Sequence, residues 1–135
     1  MPLREPRILE KTYTVTDAEA IHFMGSEVTP VLSTPSLVNW MELTSRENAA
    51  ALLGPGEDTV GVSMQIKHLA PTPVGMKARV VSNLQSIDGK TYTFSVEAFD
   101  EIERIAAATH QRAAITVAKF AARVGLKRDK ASPAR

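Results

Sequence analysis

The sequence predicts an α+β fold in which an antiparallel sheet wraps around one long central helix. Three observations carry this expectation. The segment from Ser33 to Gly56, STPSLVNWMELTSRENAAALLGPG, holds a helix start, a broad apolar sector and a helix stop. Downstream, three segments alternate with period two and are separated by turn signals. The order is strand, helix, then a run of strands, as in a sheet layered on a helix and not in alternating βα units.

From the N-terminus, residues 1–8 read as an arm, because Pro2 and Pro6 discourage regular structure. Leu9 to Val15 alternates and is rich in β-formers, so it reads as a strand. Asp17 caps a short helical turn from Ala18 to Met24, which Gly25 ends. Residues 26–33 then cross irregularly into the long helix. There Thr34 or Ser33 caps the first turn, and Pro35 occupies the first helical position, where its missing N–H is not needed. Gly54 reads as the left-handed stop and Pro55 forbids continuation. At about 100° per residue, Leu37, Val38, Trp40, Met41, Thr44, Ala49, Ala51 and Leu52 share one sector. That sector is wider than a surface helix needs, so the helix is expected to be largely enclosed.

Thr59 to Ala70 reads as a strand with Val60, Val62, Met64, Ile66 and His68 on its apolar face. PTPVG is a turn, and Met76 to Ile87 a second strand. Asp88-Gly89 is a two-residue hairpin signal leading to a third strand, Thr91 to Phe99. The alanine-rich stretch from Asp100 to Ala122 favours helix by propensity. Alternation from Ile105 to Val117, and the third strand's need for a partner, favour strand, which is the reading adopted to about Val117. From Lys127 the chain is a basic, disordered tail. The organisation expected is an arm over 1–8, one domain over 9–124 and a tail over 125–135. A single curled sheet around a single helix is the hotdog architecture. It leaves edges and apolar surface exposed, so a homodimer or higher homo-oligomer is expected.

Composition narrows the function. A chain of 135 residues, 44% hydrophobic and 23% charged, has the balance of one soluble globular domain. A net charge of +1 argues against a dedicated nucleic-acid binder. No apolar run approaches the roughly 20 residues of a membrane span, and the start MPLREPRILEK has no signal-peptide core. The absence of cysteine removes disulfides, thiolate nucleophiles and cysteine zinc sites. A cytoplasmic protein is the simplest expectation.

Taken singly, the polar candidates have plain explanations. His68 projects from an apolar strand face and could be a core histidine; Glu42 could pair with Arg46 one turn on; Thr34 could be only a cap. His110 and Arg112 share a strand face that a solvated edge would explain. The basic tail reads as a solvated end, although it could meet an anionic ligand. Together, a hydroxyl at a helix N-terminus, a carboxylate two turns along and a histidine on a facing strand make an acyl-transfer constellation. The helix N-terminus adds partial positive charge where an oxyanion would form.

The stretches VLSTPSLVNWMEL and GVSMQIKHLAPTPVG, the SIDG hairpin and ATHQRAAI, with their spacing, resemble the fluoroacetyl-CoA thioesterase family of hotdog proteins from about Val31 to Ile115. The resemblance implies a catalytic set of Thr34, Glu42 and His68, with Gly61 where the backbone lets the acyl group approach. It also implies an acyl-CoA substrate, in which CoA is a portion of the substrate and not a bound cofactor; no metal is expected, because a thioester is already activated and the ligand spacing for zinc is absent. The family's fluoroacetyl-specific enzyme has glycine after its threonine, whereas this chain has Pro35, which removes one donor near the oxyanion. The candidate donor amides are then those of Ser36 and Leu37, or one from the Gly61 strand. Where that enzyme's lid carries phenylalanines, this chain has Gly25 and Val28, with Phe23 and Met24 out of register. The function expected is hydrolysis of a short or modest acyl-CoA. The alternatives are a non-catalytic acyl-CoA-binding sensor and an enoyl-thioester hydratase, and no aspartate stands a few residues before a helix histidine as hydratases require.

Overall fold

A computed structural model of the chain describes residues 2–131. Among the described residues seven strands and two α-helices follow in the order β1 (Pro2–Thr14), a 3₁₀ turn (Asp17–Glu19), β2 (Ala20–Ile21), β3 (Val31–Leu32), α1 (Thr34–Ala50), β4 (Glu57–His68), β5 (Lys77–Asp88), β6 (Thr91–Phe99), β7 (Arg104–Thr116) and α2 (Val117–Ala131). Five strands form one antiparallel sheet in the order β1-β5-β6-β7-β4, and β2 pairs with β3 beside it. The sheet curls around α1, which packs on β1, β4, β5 and β6. This is the hotdog arrangement.

Small side chains make room for the helix. Ala78, Ala98, Ala106 and Ala108 are buried on the inner face of the sheet, between larger groups such as Val80, Leu84, Phe94 and Val96. From α1, Leu37, Trp40, Met41, Thr44, Ser45, Asn48 and Ala49 are buried. Trp40 stacks on Tyr13 at 4.7 Å and 8°, worth about 1 kcal/mol beyond the area covered. Thr44 donates to the Trp40 carbonyl at 2.7 Å and meets the Tyr13 hydroxyl at 2.9 Å. Ser45 bonds Ser82 at 2.9 Å, and Asn48 Nδ2 donates to the carbonyls of Arg7 and Ser82 at 3.0 and 3.1 Å. The enclosed helix therefore carries a polar seam as well as an apolar one, whereas Ala51 and Leu52, expected in the apolar sector, lie beyond its end and are exposed.

Several expected boundaries move, each for a physical reason. The arm over 1–8 is strand from Pro2 onward. Proline is tolerated there because β1 is a sheet edge, and a register shift between Pro2 and Arg7 absorbs the irregularity. The helix expected after Asp17 is only a 3₁₀ turn, capped by Thr16 in a capping box with Glu19, and β2 follows at once. In α1 the cap is Ser33, whose Oγ accepts from the Ser36 amide. The left-handed glycine after the helix is Gly56, at φ 77°, and not Gly54, whose amide instead donates to Glu57 Oε1 at 2.6 Å.

The hairpin after β5 uses Gly89 and Lys90 as its two central residues, closed by Asp88 opposite Thr91. Gly89 at φ 61° is the residue that requires glycine there. The stretch from Arg104 is strand, as alternation required against propensity. Part of the expected basic tail is helix α2, which buries no residue; residues 132–135 of that tail lie outside the described residues. Among the described residues no helix is long and apolar enough to cross a membrane.

Candidate active site

The start of α1 and the end of β4 meet. Ser33 caps the helix, so Thr34 is its first residue and its side chain stays exposed. His68 ends β4 on the inner face, where Met64 and Ile66 share its phase. Thr34 Oγ1 lies 2.8 Å from His68 Nδ1. Burial lowers the histidine's pKa below its ordinary 6.5, and the nearby Ala70 backbone partly opposes this. The neutral imidazole of His68 therefore prevails at pH 7, and in the tautomer with its proton on Nε2 the Nδ1 lone pair faces the threonine hydroxyl. Its Nε2 is buried and makes no hydrogen bond.

Glu42 lies eight residues beyond Thr34, about 12 Å along the helix axis. It does not reach the Thr34–His68 pair within one chain. Nor does it pair with Arg46, which instead binds Asp58 through two bonds of 3.0 and 2.6 Å; that guanidinium holds Asp58 at a pKa of about 2. Glu42 Oε2 faces Arg112 Nη1 at 3.4 Å.

The solvated edge expected for His110 and Arg112 is overturned: they are only 1% and 4% exposed. Their phase on β7 matches Ala106 and Ala108, which are also buried, and that alternation was the available signal. Arg112 Nε donates to Thr59 Oγ1 at 2.8 Å and Nη2 to the Thr59 carbonyl at 2.9 Å. His110 Nδ1 meets the Ser63 carbonyl at 2.8 Å.

Gly61 pairs with Arg112 across the strands, and a Cβ added there would overlap Glu42 Oε2. The apolar face expected for β4 holds only from Met64 onward. A register shift between Gly61 and Ser63 makes Val62 an extra residue, so Thr59 and Gly61 point inward while Val62 is 62% exposed. Glu42, Gly61, Val62, Ser63, Met64 and His110 line a recess of about 210 Å³. A larger recess, about 590 Å³, lies between β1, β4 and the far end of α1 and includes none of the candidate residues.

The amides of Ser36 and Leu37 are already used, on Ser33 Oγ at 3.2 Å and on the Ser33 carbonyl at 3.1 Å. Neither is open to an oxyanion in this geometry. Among the described residues no group of three or more His, Cys, Asp or Glu is placed to hold a metal ion.

Comparison with known proteins adds a family. A family model described as fluoroacetyl-CoA-specific thioesterase matches residues 15–118. A fluoroacetyl-CoA thioesterase from Streptantibioticus cattleyicolor is 34% identical over 102 residues, which are 76% of this chain and 73% of that one. The solved structure of the fluoroacetyl-CoA thioesterase FlK superposes with a TM-score of 0.83 at 28% identity, covering 93% of this chain and 97% of that chain. A Thermus thermophilus hypothetical protein of the thioesterase superfamily superposes at 0.82 with 26% identity, covering 95% and 93%.

Proposed function

The chain belongs to the fluoroacetyl-CoA-specific thioesterase family, and from that premise we propose that it hydrolyses a short or modest acyl-CoA to the carboxylic acid and free CoA. The observation that carries this reading is the 2.8 Å contact between Thr34 Oγ1 and His68 Nδ1 at the N-terminus of a long helix. His68 takes a proton from water, or from the Thr34 hydroxyl, as the oxygen attacks the thioester carbonyl carbon. The C–S bond breaks with its electron pair on sulfur, and the imidazolium returns its proton to the CoA thiolate. Where Thr34 itself attacks, a second round with water frees the acid. The helix N-terminus opposes the negative charge on the carbonyl oxygen. With Ser36 and Leu37 engaged, the donors left to this reading are the first-turn amide of Thr34 and an amide of the Gly61 strand.

Glu42 enters this reading through a second copy of the chain. β4 ends the sheet, so one edge of the strand is unpaired. Antiparallel pairing of two such edges about a two-fold axis runs the Gly61 end of one strand past the His68 end of the other. Glu42, which stands over Gly61, then approaches the Thr34–His68 pair of its neighbour. A homodimer with two shared sites is the assembly that this geometry favours. Glycine at 61 leaves backbone bare where the acyl group approaches.

Incubating the purified protein with acyl-CoAs from acetyl to long-chain and aryl, with a thiol reagent present, tests the activity. Release of CoA from the shorter members is the expected result. Thermal stabilisation by acyl-CoA without release of thiol is the behaviour of a binding protein and overturns the proposal.

A further inference from the structure

His110 and Arg112 form a buried polar network separate from the Thr34–His68 contact. We propose that the two are positioning residues, which hold the Glu42 carboxylate over Gly61 in the geometry its work requires. The inference rests on the reading that Glu42 takes part in hydrolysis, and it adds two residues that set where Glu42 stands.

The network runs from the sheet outward to the carboxylate. The extra residue Val62 turns β4 so that the Ser63 carbonyl meets His110 Nδ1 at 2.8 Å. A carbonyl can only accept, so the proton resides on Nδ1. His110 Nε2 is then a bare acceptor, and Arg112 Nη1 lies 3.2 Å from it. Phe94 stacks on the ring at 5.8 Å and 29°, which holds its plane. Arg112 is gripped from the other side by Thr59, through Nε at 2.8 Å and Nη2 at 2.9 Å. The guanidinium is thereby fixed in its plane, with Nη1 left to face both His110 and Glu42.

The electrostatics agree with this arrangement. Burial lowers the pKa of His110, and Arg112 adds to that, while the Ser63 carbonyl and Glu42 oppose it. A neutral imidazole is what an acceptor for an arginine N–H must be. A protonated one would set donor against donor and cation against cation.

Burial also disfavours the charge on Arg112, and Glu42 is foremost among the groups that restore it. An arginine stays cationic nonetheless. Glu42 is the part of the network with freedom, since its side chain is 40% exposed against 5% for that of Arg112. A fixed cation beside a freer carboxylate is the relation of positioner to positioned group. Among the described residues the one ion pair of this buried arginine is with the half-exposed Glu42, at 3.4 Å.

The test is a double-mutant cycle with Arg112→Lys and Glu42→Gln. Lysine keeps the charge but cannot bond Thr59 twice and face Glu42 at once. Alone, Arg112→Lys is expected to lower kcat by about tenfold or more with KM within about twofold. In the Glu42→Gln background the same change is expected to alter kcat by less than about twofold, because the group it positions is gone. An equal penalty in both backgrounds overturns the proposal. Wild-type kcat in Glu42→Gln alone overturns instead the reading that Glu42 takes part, and the proposal falls with it. His110→Ala is expected to lower kcat, and His110→Gln, which offers an amide oxygen to Arg112, to recover part of the loss. A measurement on the wild-type protein is independent of how the variants fold. Imidazole NMR at neutral pH should show His110 neutral with its proton on Nδ1, and a proton on Nε2 overturns the network.

Discussion

Thr34 Oγ1 and His68 Nδ1, 2.8 Å apart, join the first residue of α1 to the last residue of β4. The contact spans 34 positions of sequence, and both partners sit at element ends, where a side chain can meet substrate without disturbing the core. If the hydroxyl acts, Thr34→Ala should lower kcat by about 10²-fold, while Thr34→Ser should keep most of it. Steady-state rates of the two variants check this, and equal rates would leave the hydroxyl without a role.

The separation of Glu42 from that pair has a consequence for mixtures. His68→Ala and Glu42→Gln should each be nearly inactive. Equal amounts allowed to exchange subunits should regain roughly a quarter of the wild-type rate, because half the dimers are mixed and each holds one intact site. Rates measured before and after exchange decide it. No recovery, with exchange verified, would place all three groups in one chain.

Acid should remove activity below the ordinary histidine range. The folded state lowers the pKa of His68 below 6.5, so the neutral base persists as pH falls to that value and is lost below it. The midpoint of kcat/KM on the acid side should therefore lie under 6.5. Stability has the same sign: His68 and His110 are both depressed by folding, so below 6.5 the unfolded chain binds more protons. Their contribution is full above that pH and declines as pH falls through it. Denaturation at a series of pH values checks the second statement, and an acid midpoint at or above 6.5 contradicts the first.

Gly61→Ala is expected to displace Glu42, since the new Cβ would overlap its Oε2. A shift of about 1 Å in a working group can cost as much as 10²-fold, so kcat should fall between about 10- and 100-fold. Melting temperature should move little, because the carboxylate is partly exposed and can swing aside. Kinetics and melting measured on the same preparation separate the two effects.

Much of this was legible in the sequence, and the rest was hidden for identifiable reasons. Alternation from Ile105 outweighed the helix propensity of alanine, because small residues are what the sheet needs beside an enclosed helix. Pro35 and the caps located α1 to within a residue at its start. Its end and the phase of early β4 were missed, since Gly56, not Gly54, takes the positive φ and Val62 is an extra residue that flips the face. A bulge of one residue has no signature in composition. Ser45 and Asn48 are polar letters in an apolar pattern, so their burial against Ser82 shows only when the partner strand is in place. For the site, Thr34 and His68 meet as expected, whereas Glu42 pairs with Arg112 and not with Arg46. That partner lies 70 positions away, beyond any reading by helical spacing.

The most direct measurement is kcat/KM of His68→Ala on an acyl-CoA that the wild-type protein hydrolyses, with folding verified by circular dichroism. The expected result is a loss of about 10²-fold or more, the usual contribution of a general base. A folded His68→Ala protein that releases CoA at the wild-type rate would contradict the account at its centre.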